Sequence, residues 1–522
     1  MNSTNDVPKV IYAVASVKSK GGQSLFEAPF PITSETVLDF HSEPELVDSA
    51  VEKLRSEGFE VLHVSPITIT IAAPPEVYEQ VFKTKIIPVE REVQKFNELT
   101  TSTFLDTSDT DIPGLIDISK SPLADVLEGV AIEEPRFRLG ARVQPSESVT
   151  KVLTEVEREF MATTLPSAFP PPKSYWHLNV PSDVSLGLNA DKAHRDQITG
   201  RNIKVVMIDS GWYKHPYFIQ RGYRFNPVVA GPGATDLEHD KSGHGTGESA
   251  NIFAVAPDVN FTMVKTTLKV LTGSADISTA VQLAPHIISI SWGSDLRKKA
   301  DITGTPGNPN SIPNMVSAAN RCLAAEVARA IQQGITVVCS AGNGQMSFPG
   351  QHPEVISAGG AYMHADGTFE ATQYASGFSS PLFEGRNCPD VCGLVGNFEG
   401  LPTNKRAQYI MLPVQPSDDI DSKLSGGTHP NGDETRNNDG WAAFSGTSAA
   451  APQLAGVCAL IKHAAPNLSP AQIREILKDT ARDVMSGEAS PGTGGHKATE
   501  GVDVATGHGL VDAYEAVKKA RS

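Results

Sequence analysis

The spacing of hydrophobic and polar positions predicts a small α+β unit at the start of the chain. Ile67–Ile71 alternates with period two, as a half-buried strand does. Ser42 and Glu45 match a capping box, an apolar helical face follows them, and Gly58 ends it. Further strands are predicted at Val10–Val17, Phe59–Val64 and Lys85–Val89, and a second helix at Glu76–Phe82. The order βαββαβ predicts a ferredoxin-like α+β domain over residues 1–95.

Residues 96–174 have no single pattern and are predicted to link two domains. Ser102–Thr110 is polar and indicates a loop, whereas Val149–Phe160 has the spacing of a helix. Ala168–Ser174 contains three consecutive prolines, which is typical of a linker.

From about residue 175 onward, apolar runs alternate with helical segments. Continuous apolar runs are typical of strands buried on both faces, and therefore of a parallel sheet covered by helices. Residues 175–522 are thus predicted to form an α/β domain. The runs are Ile203–Ile208, Phe261–Val264, Ile287–Ser291, Ile335–Ser340 and Val355–Ala358. Two polar stretches, Leu296–Asn314 and Ser417–Gly440, predict long surface loops.

Composition and charge exclude several classes of partner. The formal net charge is −16, which argues against nucleic acid or an anionic membrane as the main partner. No stretch approaches the roughly 20 apolar residues that cross a bilayer. The first twenty residues lack the pattern of a secretory signal, so we expect a cytoplasmic protein, with export by a non-standard route left open. Five cysteines in 522 residues do not indicate a disulfide framework, and Cys388 and Cys392 alone are too few for a zinc site.

Three short segments each place a reactive side chain at the end of a predicted element. Asp209 follows an apolar strand and precedes a glycine turn, where parallel sheets carry their sites. His244 lies among small residues in Gly243–Gly247. Ser448 precedes a helical run, and Pro452 fits a first helical turn, so Ser448 is predicted near a helix N-terminus, where the dipole favours negative charge. Taken singly, these residues could be a strand-end cap, a surface histidine and a capping serine.

Together with Asn343 in Ser340–Gly344, these segments resemble the subtilisin-like serine peptidases over about residues 175–518. The order Asp, His, Ser along the chain distinguishes this family from other triad folds. The resemblance implies a subtilisin-like fold in which Ser448 is the nucleophile and His244 the general base. It further implies that Asp209 orients His244 and that Asn343 donates to the oxyanion.

The same resemblance places the substrate. Ser291, Trp292 and Gly293 are similar to the family's substrate-binding strand, and Gly273 to the opposite rail of the cleft. An extended peptide would add to this edge through main-chain hydrogen bonds, which implies an endopeptidase acting on proteins or peptides. Trp292 could also be a core aromatic residue.

The N-terminal unit, at Ser42–Lys85, is similar to the propeptides of subtilases and of the acid-acting sedolisins. This likeness implies an intramolecular chaperone and inhibitor that lays its C-terminal part into the cleft and is released by a cut within Thr110–Ser174. A permanently attached recognition domain is the alternative. Sedolisins use carboxylates in place of the histidine and an aspartate as oxyanion donor, so His244 and Asn343 indicate neutral chemistry.

No cofactor is predicted, although calcium stays open. The chain is short after His244, where secreted relatives hold a calcium ion, so we expect the acidic residues of the surface loops to be solvated. These are Asp236, Glu238, Asp240, Asp433 and Asp439. Two other functions remain as alternatives: an effector protease specific for one partner protein, and a catalytically silent peptide-binding protein.

Overall fold

The computed structural model describes residues 7–95, 98–138, 165–267, 272–296, 316–397, 409–429 and 432–522. The predicted helix at Val149–Phe160 lies outside these ranges. In chain order the strands are β1 (Ile11–Val17), β2 (Glu60–Val64), β3 (Thr68–Ala73), β4 (Ile86–Lys95), β5 (Glu98–Thr107), β6 (Leu115–Ile116), β7 (Leu127–Ile132), β8 (Phe137–Arg138), β9 (Leu178–Asn179), β10 (Lys204–Asp209), β11 (Arg224–Phe225), β12 (Val229–Ala230), β13 (Asn260–Lys265), β14 (Ile287–Ile290), β15 (Trp292–Asp295), β16 (Thr336–Ser340), β17 (Ser347–Phe348), β18 (Ile356–Met363), β19 (Phe369–Ala371), β20 (Phe378–Ser379), β21 (Asn387–Cys388), β22 (Val391–Leu394), β23 (Ile410–Pro413) and β24 (Trp441–Phe444).

The helices of the described ranges fall into both parts of the chain. In chain order they are α1 (Pro44–Ser56), α2 (Pro75–Phe82), α3 (Ser182–Gly187), α4 (Ala190–Arg195), α5 (Pro216–Gln220), α6 (His244–Val255), α7 (Gly273–Gln282), α8 (Ala318–Gln332), α9 (Asp419–Leu424), α10 (Thr447–Ala464), α11 (Pro470–Thr480) and α12 (Ala513–Arg521). Short 3-10 turns lie at Val37–Phe40 and Pro491–Thr493. Among these helices, none combines the length and apolar character that crossing a bilayer requires.

The N-terminal unit is built on an antiparallel sheet in the order β2-β3-β1-β7-β6. The strand predicted at Lys85–Val89 is present as the start of β4, but its expected place in this sheet is wrong, because β7 pairs with β1 instead. β4 forms a hairpin with β5, and it carries Pro88 and several charged residues that a buried strand cannot accommodate. In β7, Val130 and Ile132 are buried in the core that also holds Leu54 and Ile71.

The start of α1 also differs from the expected capping box. The helix begins at Pro44, so Glu43 occupies the N-cap position and makes no side-chain cap hydrogen bond. Proline favours the first helical position, because it has no N–H to leave unpaired there. Ser42 therefore lies outside the helix, and its hydroxyl donates to the carbonyl of Val17.

The second part is an α/β domain on a twisted sheet in the order β11-β13-β10-β14-β16-β18-β19. Its central strands are parallel, as the apolar runs predicted, and β19 is an antiparallel edge. The helix α10 packs behind the centre of this sheet, in the largest hydrophobic core of the described residues. Because parallel strands end on the same edge, Asp209 at the end of β10 and Ser291 directly after β14 come close together.

The two parts pack against each other through α7 and α8. Phe26 and Phe40 of the N-terminal unit form one apolar cluster with Cys322 and Ala325 of α8. Glu326 of α8, which is fully buried, accepts hydrogen bonds from the hydroxyls of Ser65 and Thr68. The N-terminal sheet therefore covers one face of the α/β domain.

Candidate active site

Asp209 and His244 form a buried pair at the carboxyl edge of the main sheet. Asp209 is the last residue of β10 and His244 the first of α6, and Nδ1 of His244 lies 2.8 Å from Oδ1 of Asp209. Both side chains are almost completely buried. Since Nδ1–H donates to the carboxylate, the lone pair of the neutral imidazole is on Nε2.

Glycines on either side of His244 make this approach possible. Gly243 has a φ of 81°, and a Cβ there would meet Oδ2 of Asp418 at 2.1 Å. A Cβ on Gly245 would lie 2.4 Å from the carbonyl of Gly211, next to Asp209. The small residues around the histidine therefore allow α6 to begin directly against the turn after β10.

Ser448 lies at the start of α10, and its contacts are to Ser291. Oγ of Ser448 donates to the carbonyl of Ser291 at 3.4 Å, and Oγ of Ser291 donates to the carbonyl of Ser448 at 3.0 Å. Nε2 of His244 has no hydrogen-bond partner within the described ranges, so the serine–histidine link is not formed in this structure. Hydrogen bonds of this kind are often long in unliganded sites and tighten when substrate binds.

Pro452 was expected in the first turn of this helix, and that expectation is wrong. The helix begins at Thr447, which places Pro452 in its second turn. Proline has no N–H to donate to the carbonyl four residues earlier, which belongs to Ser448. That carbonyl is therefore available to accept a hydrogen bond from the hydroxyl of Ser291. This hydrogen bond connects the start of α10 to the residue directly after β14.

Asn343 lies beside the same helix start. Its Oδ1 accepts hydrogen bonds from the backbone N–H and the hydroxyl of Thr447, both at 3.0 Å. These contacts fix the orientation of the amide, so the hydrogens on Nδ2 are directed away from Thr447. The structure therefore brings Asn343 next to Ser448, as the sequence suggested.

The residues expected to bind substrate lie around the segment that contains β8. Trp292 and Gly293 belong to β15, and their backbone pairs antiparallel with β8, so that Trp292 lies opposite Arg138 and Gly293 opposite Phe137. The ring of Trp292 is buried and donates from Nε1 to the carbonyl of Ile208, which makes its side chain a core aromatic residue. Gly273 begins α7 on the other side of this segment.

One residue of the site was missed by sequence reasoning. Glu248 is one helical turn after His244, it is fully buried, and its Oε1 lies 4.0 Å from Nε2 of His244. Burial, reinforced by the negative charge of Asp209, raises the pKa of Glu248 well above its ordinary value. The signal available in the sequence was an acidic residue four positions after the histidine in an otherwise small and apolar helix.

The acidic residues considered as metal ligands are engaged in turns. Asp240 accepts from Ser210 and Thr246, and Asp433 accepts from Thr435 and the backbone of Ala443. In the part of the chain that is described, no three His, Cys, Asp or Glu side chains come together as metal ligands. The expectation that the protein needs no metal stays a prediction. The five cysteines are buried and free, and burial raises the pKa of each thiol.

The parallel sheet with an Asp–His pair at its carboxyl edge, beside a serine at a helix start, is the arrangement of a triad-type serine hydrolase. Residues 200–509 match the profile of the Subtilase family, Peptidase_S8, and the chain belongs to that family.

Similarity to individual relatives is modest. The chain is 26% identical over 316 residues to M-protease of Shouchella clausii (strain KSM-K16), a match that covers 58% of this chain and 65% of M-protease. It is 26% identical over 321 residues to Subtilisin Savinase of Lederbergia lenta, covering 59% of this chain and 93% of that protein. The matched region thus spans less than two thirds of M-protease.

The same fold occurs in a solved structure. Fervidolysin from Fervidobacterium pennivorans, described as a keratinolytic enzyme related to subtilisin, superimposes with a TM-score of 0.51. The superposition covers 98% of this chain and 61% of that one, at 17% sequence identity, which shows a common fold.

Proposed function

We propose that this protein is a serine endopeptidase in which Ser448 attacks the peptide carbonyl. The observation that carries the proposal is the buried hydrogen bond of 2.8 Å between Asp209 and His244, in a domain that matches the Subtilase family. Asp209 holds the proton on Nδ1, which leaves Nε2 to take the proton of the Ser448 hydroxyl. Histidine suits this role because imidazole titrates near neutral pH.

The reaction then follows the chemistry of the residues. As Nε2 takes the proton, Oγ of Ser448 forms a bond to the carbonyl carbon, and Asp209 stabilises the imidazolium. The imidazolium returns its proton to the leaving amine as the C–N bond breaks. A water molecule, activated by the same histidine, hydrolyses the acyl-serine and restores the enzyme.

Asn343 and the start of α10 would stabilise the oxyanion. The amide of Asn343 is oriented by Thr447, and the backbone N–H of Ser448 lies in the first turn of a helix of 18 residues. Both donors favour a negative charge at that point. One donor of this kind contributes roughly 10²–10³ in kcat in related acyl-transfer sites.

Replacing the nucleophile tests this proposal. We expect the wild-type chain to be labelled by a fluorophosphonate, which reacts with activated serines, and Ser448→Ala to be unlabelled. Ser289→Ala is the matched control, since Ser289 is a buried serine of β14 whose hydroxyl has no hydrogen-bond partner among the described residues. Full labelling of Ser448→Ala would refute the assignment.

We also propose that the N-terminal unit is a chaperone and inhibitor of the peptidase domain. Two observations support this role: β8, which follows the N-terminal sheet, pairs with the substrate strand β15, and that sheet packs on α7 and α8. An antiparallel pairing of this kind is how an extended peptide would add to the edge of β15. A permanently attached recognition domain remains the alternative.

Intact-mass measurement of purified protein distinguishes these roles. We expect the wild-type chain to yield two fragments cut within Thr110–Ser174, and Ser448→Ala to keep the mass of the full chain. Ser289→Ala should be cut as the wild type is. An uncut wild-type chain that still reacts with the fluorophosphonate would support the recognition domain, and an uncut chain that does not react would support the silent peptide-binding alternative.

A further inference from the structure

Arg136 of the N-terminal unit is buried against the peptidase domain, beside β15. It lies between β7 and β8, and its side chain has no exposed surface. Nη1 lies 3.2 Å from Oγ of Ser294 and 3.3 Å from Oδ1 of Asn320, so it donates to two polar groups of the peptidase domain. These contacts give Nη1 of the buried guanidinium two acceptors, whereas Nε has no hydrogen-bond partner within the described residues.

The walls of this site fit the flat shape of a guanidinium. The ring of Trp292 lies 5.6 Å from Cζ of Arg136, within the range of a cation–π contact. On the other side, a Cβ on Gly273 would lie 2.7 Å from Nε of Arg136. Only glycine at position 273 therefore leaves room for the arginine.

The peptidase domain also places a carboxyl group near this site. Asp276, one turn into α7, is fully buried, and its Oδ2 accepts a hydrogen bond from the hydroxyl of Thr266. Arg136 acts electrostatically on this group and opposes the effect of burial on its pKa. Within its own segment, Arg136 contacts Glu133 at 3.3 Å.

The register of β8 relates this site to the nucleophile. Trp292 lies opposite Arg138 and Gly293 opposite Phe137, so one step further places Ser294 opposite Arg136. One step in the other direction reaches Ser291, whose carbonyl accepts from Ser448. A substrate in the same register therefore has the residue that Ser448 attacks opposite Ser291, and the residue three places earlier opposite Ser294.

We propose that Gly273, Trp292, Ser294 and Asn320 form a subsite for an arginine side chain, at the fourth residue before the bond that is cut. The substrate class is thus proteins with arginine at that position, and Arg136 fills the subsite until the N-terminal segment leaves. This inference rests on the proposed endopeptidase. Lysine fits less well, because it lacks the planar fork that reaches Ser294 and Asn320 together and stacks on Trp292.

A set of peptides tests the subsite with the purified full chain. The reference peptide has the sequence of residues 133–142, and three copies carry Arg136→Ala, Arg136→Lys or Arg138→Ala. We expect kcat/KM to fall about 10–100-fold for Arg136→Ala, the effect of losing hydrogen bonds to a charged group, and to fall less for Arg136→Lys. The Arg138→Ala peptide is the matched control for loss of one positive charge and should be cut like the reference.

Variants of the enzyme complete the test. In Ser294→Ala and Asn320→Ala, we expect the ratio of kcat/KM between the reference and the Arg136→Ala peptide to fall about tenfold, while Ser289→Ala keeps the wild-type ratio. Equal cleavage of all four peptides by the wild type would overturn the subsite and leave the endopeptidase intact. Failure to cut any peptide, together with absent fluorophosphonate labelling, would count against the endopeptidase itself.

Discussion

At the scale of single residues, the environment of Glu248 differs from that of an ordinary, exposed glutamate. It is enclosed by α6 and its neighbours, accepts one hydrogen bond from Asn251 and has Asp209 as a charged neighbour. Burial and that negative charge both favour the protonated form, and they raise the pKa of Glu248 well above its usual value. Both effects therefore oppose a second negative charge beside His244.

Glu248→Gln tests this protonation state through stability. A carboxyl whose pKa in the folded chain exceeds the unfolded value of about 4.3 makes its full contribution to the free energy of unfolding at pH values below about 4.3. That contribution is lost as the pH rises towards the pKa of the folded chain. In a Ser448→Ala background, which prevents self-digestion, we expect the melting temperature of Glu248→Gln to gain on that of its parent between pH 5 and 9. Wherever Glu248 is protonated in the folded chain and ionised in the unfolded one, the free energy of unfolding of the parent falls by about 1.4 kcal/mol per pH unit.

The control for this measurement is Glu500→Gln, which removes an exposed carboxyl. Its melting temperature should follow the parent at every pH. A constant difference between Glu248→Gln and its parent across the range would show that Glu248 is ionised throughout.

The sequence singled out Asp209, His244, Asn343 and Ser448, because each lies in a short motif at the end of an element. It did not single out Glu248, since a glutamate in a helix is ordinary until the direction of its side chain is known. That direction follows from where α6 begins, at His244, which turns residues 244 and 248 onto the same face.

At the scale of elements, the strands of the main sheet were predictable and their partners in the N-terminal sheet were not. The run Ile287–Ser291 became β14, because a continuous apolar stretch is stable only between two covered faces. In the N-terminal sheet, Lys85–Val89 has a sound strand pattern, and β4 is indeed a strand. β4 pairs with the neighbouring β5. The strand that pairs with β1 is β7, which follows β1 by more than 100 residues.

Pro452 shows a related limit at a helix start. The rule that proline prefers the first turn is statistical, and here a contact in the folded protein overrides it. The hydroxyl of Ser291 donates to the carbonyl of Ser448 in place of the missing helical N–H. Ser291 and Ser448 are 157 positions apart in sequence. Local patterns cannot reveal a partner at that distance.

At the scale of the whole molecule, the junction between the two parts contains buried carboxyl groups. Burial raises the pKa of Glu133, on the N-terminal side, to about 7 and that of Asp276, on α7, to about 8. The negative charge of Glu134 also raises the pKa of Glu133, and that of Glu133 raises the pKa of Asp276. The positive charge of Arg136 lowers the pKa of both groups.

We expect the N-terminal unit to dock less tightly as pH rises. Both carboxyls have a higher pKa when docked than when exposed to water, so the docked form holds their protons more strongly. Their contribution to docking is complete below the unfolded values, at about pH 4, and is lost as pH rises through 7 to 8. Hydrogen–deuterium exchange of residues 127–138 in Ser448→Ala, corrected for the intrinsic rate, should show weaker protection at pH 9 than at pH 6.

The double variant Glu133→Gln with Asp276→Asn should have protection that depends much less on pH. Glu60→Gln, which changes an exposed residue of the same unit, should behave as its parent does. Equal protection of residues 127–138 at both pH values in the parent would contradict the raised pKa values.

The sequence indicated an N-terminal α+β unit followed by an α/β domain, but it held no information on how they pack. A hydrogen bond joins Thr68 to Glu326, and one apolar cluster contains both Phe26 and Cys322, so residues hundreds of positions apart in sequence meet at this surface. Such a surface is recognisable only when both folds are known, because each half resembles an ordinary apolar face with a few polar residues.

Because β8 and β15 belong to one chain, their pairing does not depend on the protein concentration. A segment tethered to its own site meets that site at an effective concentration in the range of roughly millimolar, whatever the amount of protein in solution. Diluting the uncut chain therefore leaves β15 as fully paired with β8 as before. Once a cut separates β8 from the peptidase domain, the two fragments dissociate on dilution. The fraction of β15 that is paired with β8 then depends on the protein concentration.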